Sequence, residues 1–256
     1  MQPLAETRFP WPGNRTGAIS LTFDDGLASQ LAVAVPMLNQ VGLQGTFYLS
    51  PGPDYEQALS PWREVAAAGH ELGNHTISHP CAYNAFSKAN PVTLALEDMI
   101  LDELEAEIVE ASRRLRALVP QQSDISFAYP CYQSFVGRGL TRQSYVPLVA
   151  RHCIAGRGFG EYPLANDPDH CDLAYLWAWP CERMSATELL GLAERTAAVG
   201  RWGIMVFHGV HEGHLSITEG DLAELCALLA ARSDRIWTAP VATVARWVRE
   251  QRDGRG

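Results

Sequence analysis

The chain has 256 residues, of which 47% are hydrophobic and 19% charged. That is enough for one sizeable core, and it excludes a disordered chain, a collagen-like chain and a small disulfide scaffold. Lys and Arg number 20 against 29 Asp and Glu, and the resulting formal charge of −9 is a poor match for nucleic acid or an anionic membrane.

Residues 1–16 mix proline, glycine and polar side chains and read as a lead-in arm. They carry no apolar stretch of the kind a secretory leader needs. No apolar run reaches the roughly 18 residues of a membrane span, so a cytoplasmic location is the expectation. One domain is expected over 17–251. Short runs rich in β-branched and aromatic residues predict strands at 17–23, 44–49, 70–74, 125–129, 152–156, 174–179, 203–208 and 235–238. Helical patterns lie between them. Pro36 predicts a kink or restart within 28–41. Ser60-Pro61 reads as an N-cap with proline in the first turn, and Asn90-Pro91 reads the same way for a long helix over about 91–118. That helix has acids early and arginines late, which suits its dipole, and its charges read as a solvated face. Further helices are expected at 186–199, 219–232 and 240–251. Such repeated strand–helix alternation means a parallel sheet, either open or closed into a barrel.

The six cysteines are Cys81, Cys131, Cys153, Cys171, Cys181 and Cys226. None form a C-x-x-C pair, so neither a zinc ribbon nor a thioredoxin-type motif is present, and reduced, mostly buried thiols are expected.

Three stretches carry chemistry. Thr22-Phe23-Asp24-Asp25-Gly26 follows the first strand, where alternation sends adjacent carboxylates to opposite sides and suits them to different tasks. An Asp-Gly turn is the plain alternative. In Gly69-His70-Glu71-Leu72-Gly73-Asn74-His75-Thr76-Ile77-Ser78-His79-Pro80, His75 and His79 are four apart. Pro80 biases His79 away from the α region, so a turning loop is expected rather than a helix. Two nearby imidazoles make a plausible metal pair. His208 ends the apolar run before Gly209 and is well placed for acid–base work. His211 and His214 read as surface residues, and His152 and His170 as structural ones. Two histidines, a carboxylate, a second carboxylate and a third histidine are the parts of a metal-assisted hydrolase.

With these motifs the sequence resembles the polysaccharide deacetylase family, also called NodB-homology or carbohydrate esterase family 4. TFDDG matches the family's first motif, HTISHP with the preceding GHELGN its second, and VFHG its last. The resemblance runs in order from about residue 15 to residue 248. It implies a distorted (β/α) barrel of about seven strands. It implies that Asp25, His75 and His79 bind a divalent metal, with zinc the default and cobalt, nickel or manganese also fitting. Asp24 would be the general base and His208 the general acid. The third motif corresponds to Phe127-Ala128-Tyr129-Pro130-Cys131, so the Cys131 amide would stabilise the oxyanion while its side chain is no nucleophile.

Two departures stand out. The family often has an arginine where Ala128 stands, orienting the base. Arg157 is a candidate substitute, beside its plainer reading as a surface or structural arginine. The residues that tune the last histidine are unclear too: Asp167, Asp169 and Asp172 are equal candidates. Trp177 or Trp179 reads either as a sugar-stacking residue or as core. The reaction implied is removal of acetyl groups from an N-acetylglucosamine-type glycan. Alternatives are an O-acetyl esterase on xylan, an allantoinase-like amidase on a small molecule, and a non-catalytic carbohydrate-binding relative. The partners implied are an acetylated carbohydrate or small acylated substrate, with no nucleic acid and no membrane. Oligomeric state is left open.

Overall fold

The computed structural model describes residues 9–85 and 94–255. At its centre lies β1 (Gly17–Asp24), buried along its whole length. Both faces of a parallel sheet are covered, which is why Ala18, Ile19, Leu21 and Phe23 form a nearly continuous apolar run. The polar residues among them are satisfied inside: Ser20 donates to the Ala239 carbonyl and Thr22 to that of Met205.

The other strands of the main sheet are β2 (Thr46–Leu49), β3 (Glu71–Asn74), β4 (Phe127–Ala128), β5 (Gly156–Arg157), β6 (Trp179–Pro180), β7 (Trp202–Phe207) and β8 (Ile236–Thr238). Their order is β5-β4-β3-β2-β1-β7-β6, and β8 pairs with the start of β1. Every pairing is parallel, with Thr22 opposite Thr46, Ala18 opposite Trp202 and Gly17 opposite Ile236. The two ends of this order meet. The Leu176 N–H donates to the Gly156 carbonyl, and Gly158 N–H donates back to Leu176, just before β6. The sheet is therefore curled, a distorted barrel of seven strands with β8 as an addition.

Helices on the outside are α1 (Val35–Gln40), α2 (Trp62–Ala67), α3 (Leu101–Leu118), α4 (Val146–His152), α5 (Ala186–Ala198), α6 (Glu219–Ala230) and α7 (Val241–Asp253). Pro36 sits in the first turn of α1, after a wider π-type turn over Gln30–Ala34, so the chain restarts there as expected. Ser185 and Glu188 form a reciprocal cap on α5, and Thr218 caps α6.

Several boundaries differ from the sequence expectation. The long helix starts at Leu101, because the Leu96 N–H bonds to Cys81 and a short 3-10 turn buries Leu96 and Met99 before it. Its onset is fixed by Glu103, whose carboxylate accepts the Ile100 N–H. The expected Asn90-Pro91 cap lies outside the described residues. Ser60 does not cap α2; its hydroxyl donates back to Gln57, and Pro61 precedes the helix. The expected strand over 174–179 begins with a 3-10 turn at Leu173–Tyr175, since the Asp172 carboxylate captures the Ala174 N–H. The α3 charges are not simply solvated: Glu105 pairs with Arg151 and His152, and Glu107 holds a neighbouring loop. In the arm, Phe9 and Trp11 are buried, and Trp11 donates its indole N–H to Gly200.

Candidate metal centre and catalytic face

Each chemical residue lies at or just past the carboxyl end of a strand, the face where barrels build their sites. Asp24 ends β1 and Asp25 follows at φ 74°. This left-handed step breaks the strand alternation. The two carboxylates therefore do not point to opposite sides, and His75 Nε2 lies 3.9 Å from Asp24 and 3.5 Å from Asp25. Gly26 continues the turn at φ 62°, where a Cβ would press on Leu49 at 2.8 Å.

His75 leaves β3 into a loop, not a helix, with Thr76 at φ 62° and His79 at φ 51°. Asn74 accepts the Thr76 N–H, and Thr76 accepts that of His79. One carboxylate oxygen of Glu107 takes the Ile77 and Ser78 N–H groups and the Ser78 hydroxyl. The loop thus brings His79 Nε2 to 3.5 Å from the same Asp25 oxygen. The His75 and His79 rings lie 4.6 Å apart. His75 Nδ1 is 2.9 Å from the Ala128 carbonyl, which can only accept, so Nδ1 carries a proton and Nε2 is the nitrogen turned to the carboxylates, able to give its lone pair to a cation once it is unprotonated.

These three residues fit a divalent cation. Their donor atoms all lie within 4.8 Å of one another. Ligands at ~2.1 Å in a tetrahedron would stand about 3.4 Å apart, close to the 3.5 Å spacings at Asp25. The carbonyl behind His75 is the usual outer partner of a metal-binding imidazole. Burial would raise the Asp25 pKa, but the His75 hydrogen bond and the nearby imidazoles bring it below the usual carboxylate range. Burial, then the charge of His75, pushes His79 down to about 4.

Asp24 is buried beside this group. Burial alone would raise its pKa, yet Arg157, then His75 and His208, hold it below the ordinary value. Arg157 ends β5, is fully buried, and donates Nη2 directly to Asp24 while lying 4.8 Å from the centre of the Tyr48 ring. It thus gives Asp24 the arginine that Ala128 does not supply, and it is not a surface residue. His208 follows β7 and places Nε2 3.9 Å from Asp24. Gln30, unremarked in the sequence, clamps the two strand ends by donating its amide to the Asp24 and His208 carbonyls.

The expectation of six free thiols is wrong. Cys81 and Cys131 are joined in a disulfide, and only Cys153, Cys171, Cys181 and Cys226 are free. The turn geometry brings together two cysteines 50 residues apart, which spacing alone could not reveal. Cys131 sits at φ 50° in the turn after β4.

None of the three aspartates weighed as partners of His208 reaches it: Asp167 lies by His170 and Arg201, Asp169 pairs with Arg255, and Asp172 caps Ala174. Glu182, which the sequence reading passed over, is closer in topology. Pro180 pairs with Val206 and the Cys181 N–H bonds to Val206, so the register carries Glu182 level with His208. Trp179 is core, with its indole N–H on Leu164. Trp177 lies beside Asp167 and Arg201, which precedes β7 at the end away from His208. An exposed aromatic on this face is instead Phe159, edge-on to Tyr132. His211 accepts the Glu219 N–H at the start of α6, and His214 is exposed.

The family model for polysaccharide deacetylase matches residues 13–134, the part of the chain that contains the Asp24-Asp25 and His75–His79 motifs. Over these residues the chain is similar to the polysaccharide deacetylase family. A chitin deacetylase of Arthroderma benhamiae is 32% identical over 102 residues, which are 38% of this chain and 26% of that protein. The match therefore spans about a quarter of the relative's length. The fold is shared with the Xyl-CE4 domain of a multidomain xylanase from the hindgut metagenome of Trinervitermes trinervoides, at TM-score 0.56 and 17% identity, covering 91% of both chains. It is also shared with a CE4 family pseudoenzyme from Bacillus anthracis, at TM-score 0.55 and 13% identity, covering 91% of this chain and 66% of that one. One of these neighbours is named a pseudoenzyme, so the fold alone does not decide activity and this chain must be judged by its own site.

Proposed function

We propose that this protein is a polysaccharide deacetylase, a metal-dependent hydrolase that removes acetyl groups from an N-acetylated glycan of the N-acetylglucosamine type. The observation that carries the reading is the convergence of Asp25, His75 and His79 within metal-binding reach, beside a buried Asp24 paired with Arg157. A divalent cation held there would supply Lewis-acid polarisation of the acetyl carbonyl and a more acidic water. Asp24, kept ionised by Arg157, takes the proton from the attacking water. His208, whose Nε2 lies 3.9 Å from Asp24, gives a proton to the departing amine nitrogen. The Cys131 amide, in its left-handed turn, donates to the oxygen that gains negative charge.

The rim suits a sugar chain. Phe159 and Tyr132 present aromatic surface there, and a cavity of about 510 Å³ lined by Tyr132, Gln133, Phe135 and Arg142 opens next to Cys131. Zinc is the default for two imidazoles and a carboxylate. The decisive experiment is acetate release from N-acetylglucosamine oligomers with zinc, cobalt, nickel or manganese added, beside a chelator control. Release that is abolished by the chelator and by Asp24→Asn is expected. Calorimetric metal binding with no acetate released from any acetylated glycan would overturn the reading in favour of a binding protein.

A further inference from the structure

We propose that Cys81 and Cys131 are a thiol–disulfide exchange site at the rim of the catalytic face, whose redox state decides which ligand set claims His79. The inference rests on the metal centre proposed above and adds a control to it.

The position of the bond carries the argument. It ties the loop after β3 to the turn after β4. Cys81 lies two residues beyond His79, and its sulfur is 3.7 Å from His79 Nδ1. His79 therefore faces Asp25 with one ring nitrogen and Cys81 with the other. Four non-glycine residues in the two tied segments are left-handed: Thr76, His79, Cys131 and Tyr132. Such conformations persist only when several contacts determine them. Between these segments the crosslink is joined by a hydrogen bond from the Ala82 N–H to Gln133.

In the oxidised state both sulfurs are occupied in the bond, and His79 is left to the Asp25 and His75 set. The donor atoms of His79, Cys81 and Cys131 lie within 4.8 Å of one another in the bonded structure, so breaking the bond leaves two thiols beside His79. Thiolates are softer ligands than a carboxylate and compete well for zinc or cobalt. The two sets face different nitrogens of His79, but a neutral imidazole has only one lone pair to give, so occupying the sulfur set dismantles the other.

The exchange chemistry is open from one side. Cys131 is accessible to solvent while Cys81 is buried. A thiolate of a dithiol reductant attacks the Cys131 sulfur, forming a mixed disulfide and releasing Cys81 as its thiolate. The reductant's second thiol then attacks its own sulfur in that bond. This frees Cys131 and leaves the reductant as a disulfide, with two electrons and two protons passed to the protein. Persistent disulfides belong to oxidising compartments, so the Asp25 set is available there and withdrawn under reduction.

The test uses the full chain and cobalt(II) as the probe. Alkylation of the denatured, unreduced protein is expected to label four cysteines, and six only after reduction; six labels at the outset overturn the proposal. The protein is then reduced with a phosphine, desalted under argon and titrated with cobalt. A sulfur-to-cobalt charge-transfer band is expected in the reduced form alone. Acetate release should fall about tenfold or more with it, as when other supports of a metal centre are removed. Reoxidation should remove the band and restore release. The pair Cys81→Ser with Cys131→Ser should show no band and no response to reductant, and Cys171→Ser should behave as the parent. If the double variant does not fold, the reduction and reoxidation cycle on the parent decides alone. Cobalt that binds the oxidised protein and keeps the same spectrum after reduction overturns this inference only. Cobalt that never binds the oxidised protein overturns the metal centre and this inference with it.

Discussion

Arg157 reaches Asp24 across 133 positions of sequence, and both side chains are buried. A buried carboxylate without its partner is costly, which makes this contact the most exacting in the site. Asp24 faces His75 and His208 at 3.9 Å, whereas Arg157 donates to it directly. Arg157→Ala is therefore expected to lower kcat/KM by about 10- to 100-fold, the range for a residue that orients a catalytic group from behind. The sign of the pH effect follows from the charges. Arg157 lowers the Asp24 pKa against burial, so removing it raises that pKa, and the acid limb of the kcat/KM profile should move to higher pH. Arg157→Lys, which keeps a charge but loses the planar donor, should recover part of the shift. An alanine variant with unchanged kcat/KM and an unmoved acid limb would show that Arg157 only fills space.

At the scale of elements, the site depends on α3 as much as on the strands. Glu107 projects from α3 and holds the Ile77 and Ser78 amides, which lie between the two histidines. Glu107→Ala leaves these donors without their acceptor and lets the His79 end of the loop move. Zinc affinity measured by competition with a chromophoric chelator should fall about tenfold. Glu110→Ala, on the same helix but paired with Arg113 and Arg114, should leave it unchanged. Equal affinities for all three proteins would mean that the loop keeps its shape without α3. This dependence also explains what could be read before the structure was known. Asp24-Asp25-Gly26 and His75–His79 were legible because each lies within one short segment whose spacing and turn residues are local. The strands β1, β2 and β7 were legible because burial on both faces leaves nearly continuous apolar runs. Arg157, Gln30 and the Cys81–Cys131 bond were harder, since each acts on a distant segment. Glu107 read as part of a solvated face because its partners are amides, which leave no mark in composition. The start of α3 was misplaced because tertiary contacts of Leu96 with Cys81 compete with the helical pattern.

For the whole molecule, parallel pairing divides the labour between two ends of the barrel. The carboxyl ends of β1, β3, β5 and β7 deliver Asp24, His75, Arg157 and His208 to one face. The amino end of β3 begins instead with buried His70 and Glu71. Glu71 ties strands to a helix there, accepting from the Thr46 hydroxyl and from the Ser126 and Ala242 amides. His70 accepts the Gly45 N–H at Nδ1, so its proton is on Nε2, facing Asn39. Charging the ring would place a proton on Nδ1 and break the Gly45 bond. Burial accordingly lowers the His70 pKa from 6.5 to about 4. In the unfolded chain the imidazole takes up a proton near its ordinary value, while in the fold it resists. The contribution of neutral His70 to stability is thus complete above about pH 6.5 and is lost as the pH falls toward 4, amounting to up to about 3 kcal/mol. His79 changes in the same direction in the metal-free protein, and His75 in the opposite one, so total stability cannot isolate the effect. The difference between the parent and His70→Gln can. Urea unfolding of both metal-free proteins at pH 7 and pH 5 should show the parent losing more stability over that interval. The glutamine variant, lower at pH 7, should converge on the parent as the solution is acidified. Parallel losses in the two proteins would mean that His70 is protonated in the fold at no cost, and that the tight closure of this end of the barrel around an uncharged ring is mistaken.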